Sequence, residues 1–580
     1  MIVFETYLPK IVSDYFNKKK KHLSAFKKMN NLLKNSCGVN DFFTTQEEAT
    51  NLLHKIIENQ SIAVELDRRE YGDYQTNENL ASKVSKYAFS KMKGIEFLLE
   101  PTCGNGNFIL ASLEQGKKLK KIVGIEIYQP YVWETKFKIL AYYLENKKSQ
   151  KPEIDIIHGD AFIFKFDVLA ETTKNYKTLI IGNPPWVTNS ELGSIDSKNL
   201  PEKSNFKKHN GFDAITGKGN FDIGEFISIT ILNSFQSHKG IFAFLVKNSV
   251  IKNIIQDQKR NLYRIGNVEK LNIDSKKEFN VSVNASLLLT HLNDNPEFTC
   301  KEYDFYDRGH ITTFGWYKDK FVSSIEDYDK SSIIDGKSEF IWRSGVKHDC
   351  SKIMEIVKLN GHYKNGFKEE ISLEKDLVYG LLKSSDLKGG VNNKYRKLTI
   401  ITQKKIGQST GYIKEKYPLT FKYLKSKKEY FDKRKSSIYK GKPDFSIFGI
   451  GEYSFKPYKV AISGMYKSIN FTLVKPERNK PIMLDDTCYF IGFNKLKNAK
   501  IAHCLLNSNI AQQFLKSIIF TDSKRSINKD ILMRINFNKL IEVTGINYVK
   551  ELMSDLTLND WEEFQKLSTP TNLERQTSLF

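Results

Sequence analysis

The chain has 580 residues, 40% hydrophobic and 27% charged, which predicts a soluble protein of several domains with a large core. Its 90 Lys+Arg against 67 Asp+Glu leave a formal net charge of +23, which points to a polyanion, nucleic acid or an anionic membrane surface, unless the lysines reflect compositional bias alone. No apolar run reaches the roughly 18 residues of a membrane span, so no membrane partner is expected.

The N-terminus, Met1-Ile2-Val3-Phe4-Glu5-Thr6, lacks the basic start and apolar stretch of a signal peptide. Residues 1–60 read as a helical extension, with Lys18-Lys19-Lys20-Lys21 as a solvated face in preference to a DNA contact. From 61 to 300 short β-type runs alternate with helical stretches. They are Phe97-Leu98-Leu99, Lys121-Ile122-Val123-Gly124-Ile125, Ile154-Asp155-Ile156-Ile157, Leu179-Ile180-Ile181, Ile241-Phe242-Ala243-Phe244-Leu245-Val246 and Ala285-Ser286-Leu287-Leu288-Leu289. Such alternation predicts a parallel, helix-covered sheet. Residues 301–580, rich in Lys, Tyr, Phe and Ser, read as a separate α+β domain with an amphipathic helix over 501–515. The six cysteines (Cys37, Cys103, Cys300, Cys350, Cys488, Cys504) form no C-x-x-C pair. No metal site or disulfide framework is indicated, and a reduced, cytoplasmic setting is expected.

Candidate binding residues follow the strands in order. The first strand runs into Glu100-Pro101-Thr102-Cys103-Gly104-Asn105-Gly106-Asn107-Phe108. Gly104 and Gly106 let the backbone approach a ligand, and the helix beyond presents free N–H groups. Ile109 breaks the G-x-G-x-x-G fingerprint, which argues against a dinucleotide pyrophosphate and for a nucleoside. Glu126 ends the second strand, placed for ribose hydroxyls or as a solvated strand end. Gly159-Asp160-Ala161-Phe162 ends the third. Asp160 offers an acceptor to an adenine amino group and Phe162 a ring, although Gly-Asp alone reads equally well as a turn.

The fourth strand leads into Asn183-Pro184-Pro185-Trp186. The Asn183 side chain offers an acceptor. Pro184 and Pro185 stiffen the backbone and remove two donors, leaving their carbonyls to accept. Trp186 adds a flat apolar face. Two acceptors beside an aromatic plate suit an exocyclic NH2 on a planar ring, such as N6 of adenine.

This ordered set resembles the S-adenosylmethionine-dependent methyltransferases. Within them it resembles the DNA adenine-N6 class, whose motif is [D/N/S]-P-P-[Y/F/W]. Arg68-Arg69-Glu70-Tyr71-Gly72-Asp73-Tyr74-Gln75-Thr76-Asn77 is similar to the family's N-terminal motif, which packs over the methionine end of the cofactor. Asn77 stands where the family has Pro. Gly217-Lys218-Gly219-Asn220-Phe221-Asp222 resembles the motif flanking the cofactor adenine. Phe279-Asn280-Val281-Ser282-Val283-Asn284 resembles the late motif that holds the flipped base. The motif order is that of the gamma class of type II restriction–modification enzymes, with the target-recognition domain last.

The resemblance implies a Rossmann-like α/β domain over 61–300, its sheet mostly parallel with helices on both faces, and an α+β target-recognition, DNA-binding domain over 301–580. It implies S-adenosylmethionine and no metal. Cofactor binding would fall to Thr76, Glu100, Thr102, Cys103, Gly104, Gly106, Glu126, Asp160, Ala161 and Asn183. Catalysis would fall to Asn183, Pro184, Pro185 and Trp186, with Trp186 and Phe279 stacking on the target base. The implied partners are double-stranded DNA and a separate cognate restriction endonuclease. In the distal half Trp342-Arg343-Ser344-Gly345-Val346-Lys347, Tyr417-Pro418-Leu419-Thr420-Phe421-Lys422-Tyr423-Leu424, Asp486-Thr487-Cys488-Tyr489-Phe490 and Leu505-Leu506-Asn507-Ser508 are similar to target-recognition segments, and each also reads as core or loop. The basic surplus is expected to line a DNA cleft, with Lys404, Lys405, Lys425, Lys427, Lys428, Arg434 and Lys435 in basic stretches of the distal domain.

Three other readings compete. Methyltransferases of protein glutamine share Asn-Pro-Pro but are about half this length, without a basic second domain; an RNA adenine is a related target. A bifunctional enzyme would need a nuclease domain, for which 60 leading residues are too few. A non-catalytic nucleic-acid-binding protein with this fold would not need an intact Asn183-Pro184-Pro185-Trp186.

Overall fold

The aliphatic runs become strands where the sequence places them. In the computed structural model, which describes residues 8–19, 25–51, 74–146, 151–187, 222–359, 361–392, 394–466, 468–521 and 525–568, two compact units divide the chain at Met1–Phe321 and Val322–Phe580. Lys20 and Lys21, residues 68–73 of the N-terminal motif and residues 217–221 lie outside the described residues.

The first unit is built on β1 (Phe97–Glu100), β2 (Lys121–Glu126), β3 (Glu153–His158), β4 (Thr178–Gly182) and β5 (Gly240–Lys247), each parallel to its neighbours in the order 3-2-1-4-5. β1 and β4 are buried over their whole length, as central strands covered on both faces must be. β6 (Ile265–Asn272), β7 (Ala285–Leu292), β8 (Thr299–Asp304), β9 (His310–Tyr317) and β10 (Lys320–Val322) extend the sheet. β7 runs antiparallel between β5 and β6. The fold class is the expected one, α/β with a large, mostly parallel sheet. The unit runs beyond residue 300 because β8 pairs with β6 and β9 with β8.

The chain steps from β1 to β3 in one direction and through β4 to β5 in the other. Right-handed crossovers then place α4 (Asn107–Gln115) and α5 (Gln129–Asn146) on one face, and α6 (Phe166–Thr173) and α7 (Ile223–Ser234) on the other. α1 (Lys10–Lys18) and α2 (Phe26–Cys37) pack on α5, α3 (Glu78–Lys91) on α4, and α8 (Asn248–Asn261) on α7. The switch point lies between β1 and β4, where open α/β sheets bind ligands at the carboxyl ends of the strands.

The N-terminal extension belongs to this unit. Val39 bridges to Ile154 at the edge of β3, which covers an open strand edge. Lys136 of α5 is buried and donates to the carbonyls of Asp41 (3.2 Å) and Phe42 (2.9 Å). Burial lowers its ammonium pKa to about 8.

The second unit is α+β, with two sheets. One pairs Glu370–Ile371, His362–Lys364, Glu355–Leu359, Lys397–Ile400, Val378–Leu382 and Met483–Leu484 in that order. The other pairs Arg343–Ser344, Cys488–Phe493, Tyr458–Ser463, Thr472–Val474 and Gly390–Asn392. Trp342, Cys488, Leu505 and Leu506 are core residues, so these motifs pack this unit. The single helix expected over 501–515 is two, Leu496–Leu506 and Asn509–Ile518. The break falls where Asn507 turns its side chain back to the carbonyls of His503 and Phe471, and where Ser508 adopts extended backbone. Among the described residues no helix is long and apolar enough to cross a membrane.

Lys459 is fully buried in Tyr458–Ser463, where its ammonium donates to the Lys456 carbonyl at 2.7 Å. Burial lowers its pKa to about 7. An unfolded lysine titrates near ~10.4, so between about 7 and ~10.4 the unfolded chain binds the extra proton and stability rises with pH. Lys459→Met is therefore expected to raise the melting temperature at pH 6, where the buried charge costs roughly 1–4 kcal/mol, and to lose that advantage by pH 10. A variant less stable at every pH would contradict this.

Candidate functional site

The carboxyl ends of β1 to β4 surround one cavity of about 1000 Å³, counting its solvent-open part. Pro101, Thr102, Cys103, Gly104 and Asn105 follow β1; Ile127 and Tyr128 follow β2; Gly159 to Phe162 follow β3; Asn183 and Pro185 follow β4. Tyr74, Gln75 and Thr76 form a further side. Four strand ends and a segment preceding the first strand thus converge on one volume.

The β1 turn depends on its two glycines. Gly104 has φ 50° and Gly106 φ 79°, left-handed values that favour glycine. A Cβ on Gly104 would sit 2.3 Å from the Gln75 side chain, and one on Gly106 2.7 Å from Thr135 Cγ2. Gly106 is the N-cap of α4 and is not among the residues lining the cavity. Glu126 ties the neighbouring strand end to this turn. Its Oε2 accepts from Gly104 N–H and its Oε1 from Tyr128 N–H, both at 2.8 Å. Asp160 accepts from Phe162 N–H at 2.8 Å, so Gly159–Phe162 is a turn that also lines the cavity.

Asn183 carries the most information. Its Nδ2 donates to the Tyr74 carbonyl at 2.8 Å and to the Thr76 hydroxyl at 3.2 Å. A backbone carbonyl only accepts, so the amide cannot be turned round and Oδ1 must be the acceptor left over. Among the described residues that buried Oδ1 has no partner, and neither have Oε2 of Glu100 or Oγ1 of Thr102, both also on the cavity wall. Buried polar atoms are seldom left so; three around one cavity point to a polar ligand. Burial pushes the Glu100 carboxyl well above the usual carboxylate range, offset in part by the Ile109 N–H and reinforced by Glu126. Burial raises the Cys103 thiol as well, so it is no nucleophile.

Tyr74 to Asn77 is held from three sides. Asn105 N–H donates to Gln75 Oε1 (3.1 Å), and Asn107 Nδ2 to the Thr76 carbonyl (2.8 Å). Asn77, where the resembled family has Pro, caps α3 by accepting from Leu80 N–H at 2.9 Å, and its Nδ2 donates to Glu278 at 3.0 Å.

Pro184 is buried, with Cγ 3.5 Å from where a Cβ on Gly224 would lie. Trp186 is 5% exposed, its Nε1 donating to the Leu245 carbonyl at 3.1 Å. Its indole packs edge-on against Phe279 with centroids 4.8 Å apart, and Tyr74 tilts over it at 5.5 Å. Trp186 and Phe279 thus pack on each other, and neither they nor Pro184 are among the residues lining the cavity. Sequence reasoning missed Tyr128, Tyr131, Val187, Ile223 and Ile227 on the wall. For the last two a signal existed: Asp222 is the N-cap of α7, with its side chain accepting from Glu225 N–H, and apolar residues follow at once.

No family model matches the chain. It is 38% identical over 485 residues to a type II methyltransferase, M.NspV, of Nostoc sp. (strain ATCC 29411 / PCC 7524), covering 83% of this chain and 99% of that protein. Among solved structures, the type IIL restriction–modification enzyme MmeI in complex with DNA aligns at 12% identity, with 95% of this chain and 79% of that one covered and a TM-score of 0.46. A nuclease-deletion mutant of the type ISP enzyme LlaGI with a DNA substrate mimic aligns at 10% identity, with 87% and 64% covered and a TM-score of 0.45. At this identity and coverage of M.NspV, the chain belongs to the type II methyltransferase family.

Proposed function

We propose that the protein methylates N6 of an adenine in a specific sequence of duplex DNA, using S-adenosylmethionine, as the modification enzyme of a restriction–modification system. The observation that carries the reading is the oriented, unpartnered Oδ1 of Asn183 on the wall of a cavity ringed by strand ends. The type II methyltransferase relative supports it.

The residues present fit the cofactor. Glu126 would take the ribose hydroxyls, Asp160 and Phe162 the adenine. Thr76, Glu100 and Thr102 would hold the polar methionine end, where the orphaned Glu100 and Thr102 oxygens lie on the wall. Bound S-adenosylmethionine supplies a sulfonium-activated methyl group.

A base inside a duplex cannot reach such a cavity, so it must be flipped out, at a cost of a few kcal/mol. Tyr74, 37% exposed, is the ring that must move aside for a base to reach the Trp186 indole. Stacking there returns roughly 1–3 kcal/mol. Asn183 Oδ1 accepts one N6 hydrogen and the Pro184 carbonyl the other, which draws N6 out of conjugation and exposes its lone pair. Asn183 is no base, so the spare proton leaves to solvent. Rate enhancement comes from positioning and from acceptors already in place.

Incubation with methyl-labelled S-adenosylmethionine and unmethylated duplex DNA, RNA or total protein tests the assignment. Label is expected in DNA; label confined to RNA or protein would overturn it. Gly106→Ala forces an L side chain into φ 79° against Thr135 and displaces the turn. We expect calorimetric affinity for the cofactor to fall roughly 10- to 100-fold, given ~1–3 kcal/mol of strain and overpacking. Unchanged affinity would remove the turn from the binding site.

A further inference from the structure

The positive charge of the chain is not spread evenly. Residues 404–442 hold thirteen Lys and Arg against three Asp and Glu, a surplus of ten within a total of +23. Per residue that surplus is about tenfold denser than in the rest of the chain. Compositional bias alone would enrich lysine throughout.

Three short helices occupy about half of this stretch: Tyr412–Lys416, Pro418–Ser426 and Lys428–Asp432. Ile413, Thr420, Tyr423, Leu424 and Phe431 turn inward and pack the core of the distal unit. Lys414, Lys422 and Lys425 are left exposed on the outer side, with Lys435, Lys440 and Lys442 exposed just beyond. Lys427, Lys428 and Lys433 are paired, with Glu369, Asp444 and Glu429. The six exposed lysines just named form no ion pair among the described residues. Clustered like charges repel one another and do nothing for the fold. A regularly spaced polyanion would offset that repulsion.

We infer that this helical stretch is the surface that holds the phosphate backbone of duplex DNA. The inference rests on the proposed function, since the duplex is the one whose base enters the catalytic cavity. The lysines position the duplex and carry no sequence information, because phosphates are the same at every base pair. A lipid surface fits less well: Ile413, Tyr423, Leu424 and Phe431 are turned into the core, and the large apolar side chains these helices leave exposed, Leu419 and Tyr430, are single residues on two separate helices, short of the apolar face that an interfacial helix inserts.

The test uses the full chain carrying Lys414→Gln, Lys422→Gln and Lys425→Gln, with its fold checked by circular dichroism and melting temperature. Binding to a fluorescent unmethylated duplex is followed by anisotropy over a salt series, without cofactor. The slope of log K against log salt is expected to fall by about 2–3, about equally for different sequences. A control with Lys83→Gln, Lys117→Gln and Lys118→Gln makes the same charge change at exposed positions of the first unit and is expected to keep the slope. An unchanged slope in the first variant, an equal fall in the control, or a loss of binding to anionic vesicles in place of DNA would overturn the inference. Because binding is read without methyl transfer, lysine-dependent DNA binding with no labelled adenine would sink the catalytic reading alone.

Discussion

Asn183→Ala is expected to lower kcat for methyl transfer by roughly 10²–10³-fold, the usual effect of removing one preorganised hydrogen-bonding group from a developing charge. Cofactor affinity should change little, because Glu126, Asp160 and the β1 turn are untouched. The decisive companion is Asn183→Asp. The resembled motif admits Asp at this position, yet here the Tyr74 carbonyl and the Thr76 hydroxyl receive hydrogen bonds from Nδ2. A carboxylate would set an oxygen with nothing to donate against a carbonyl. Asn183→Asp should therefore be impaired nearly as much as Asn183→Ala. Single-turnover methylation with saturating cofactor measures both. Activity within tenfold of the parent in Asn183→Ala would remove Asn183 from its role, and a fully active Asn183→Asp would show that the amide orientation does not matter.

Trp186→Ala should have the second large effect, through stability as well as rate. The side chain is in the core of the first unit, and truncating a buried tryptophan costs about 3–5 kcal/mol. It also removes the support of Phe279 and Tyr74. Trp186→Phe keeps an aromatic plate and loses the Nε1 bond to the Leu245 carbonyl, at about 1–3 kcal/mol. We expect Trp186→Phe to fold, melt a few degrees lower and methylate within about tenfold of the parent, given an aromatic face worth ~1–3 kcal/mol. Melting temperature and kcat on one preparation separate the two contributions. A well-folded Trp186→Phe as inactive as Trp186→Ala would dismiss the stacking role.

The strand ends were legible because each follows a short apolar run, and the burial of β1 and β4 follows from the absence of any polar face in those runs. The glycine turn was legible because only glycine tolerates those backbone angles beside a close neighbour. What could not be read depends on partners far along the chain. The amide of Asn183 is oriented by a carbonyl 109 residues earlier. Trp186 looked like an exposed plate because the tetrapeptide says nothing of Leu245, 59 residues on. The attachment of the N-terminal extension rests on Val39 meeting Ile154 and on a buried lysine of α5. β6 escaped notice because Ile265-Gly266-Asn267-Val268-Glu269-Lys270 carries both glycine and charges, and its register with β7 shifts between Gly266 and Glu269.

The most direct test of the central claim is the identity of the methylated nucleoside. Duplex DNA labelled by the purified protein is digested to nucleosides and separated. N6-methyladenosine as the deoxynucleoside, absent when Asn183 is replaced by alanine, is the predicted product. Label on cytosine, at N4 or C5, would contradict the account.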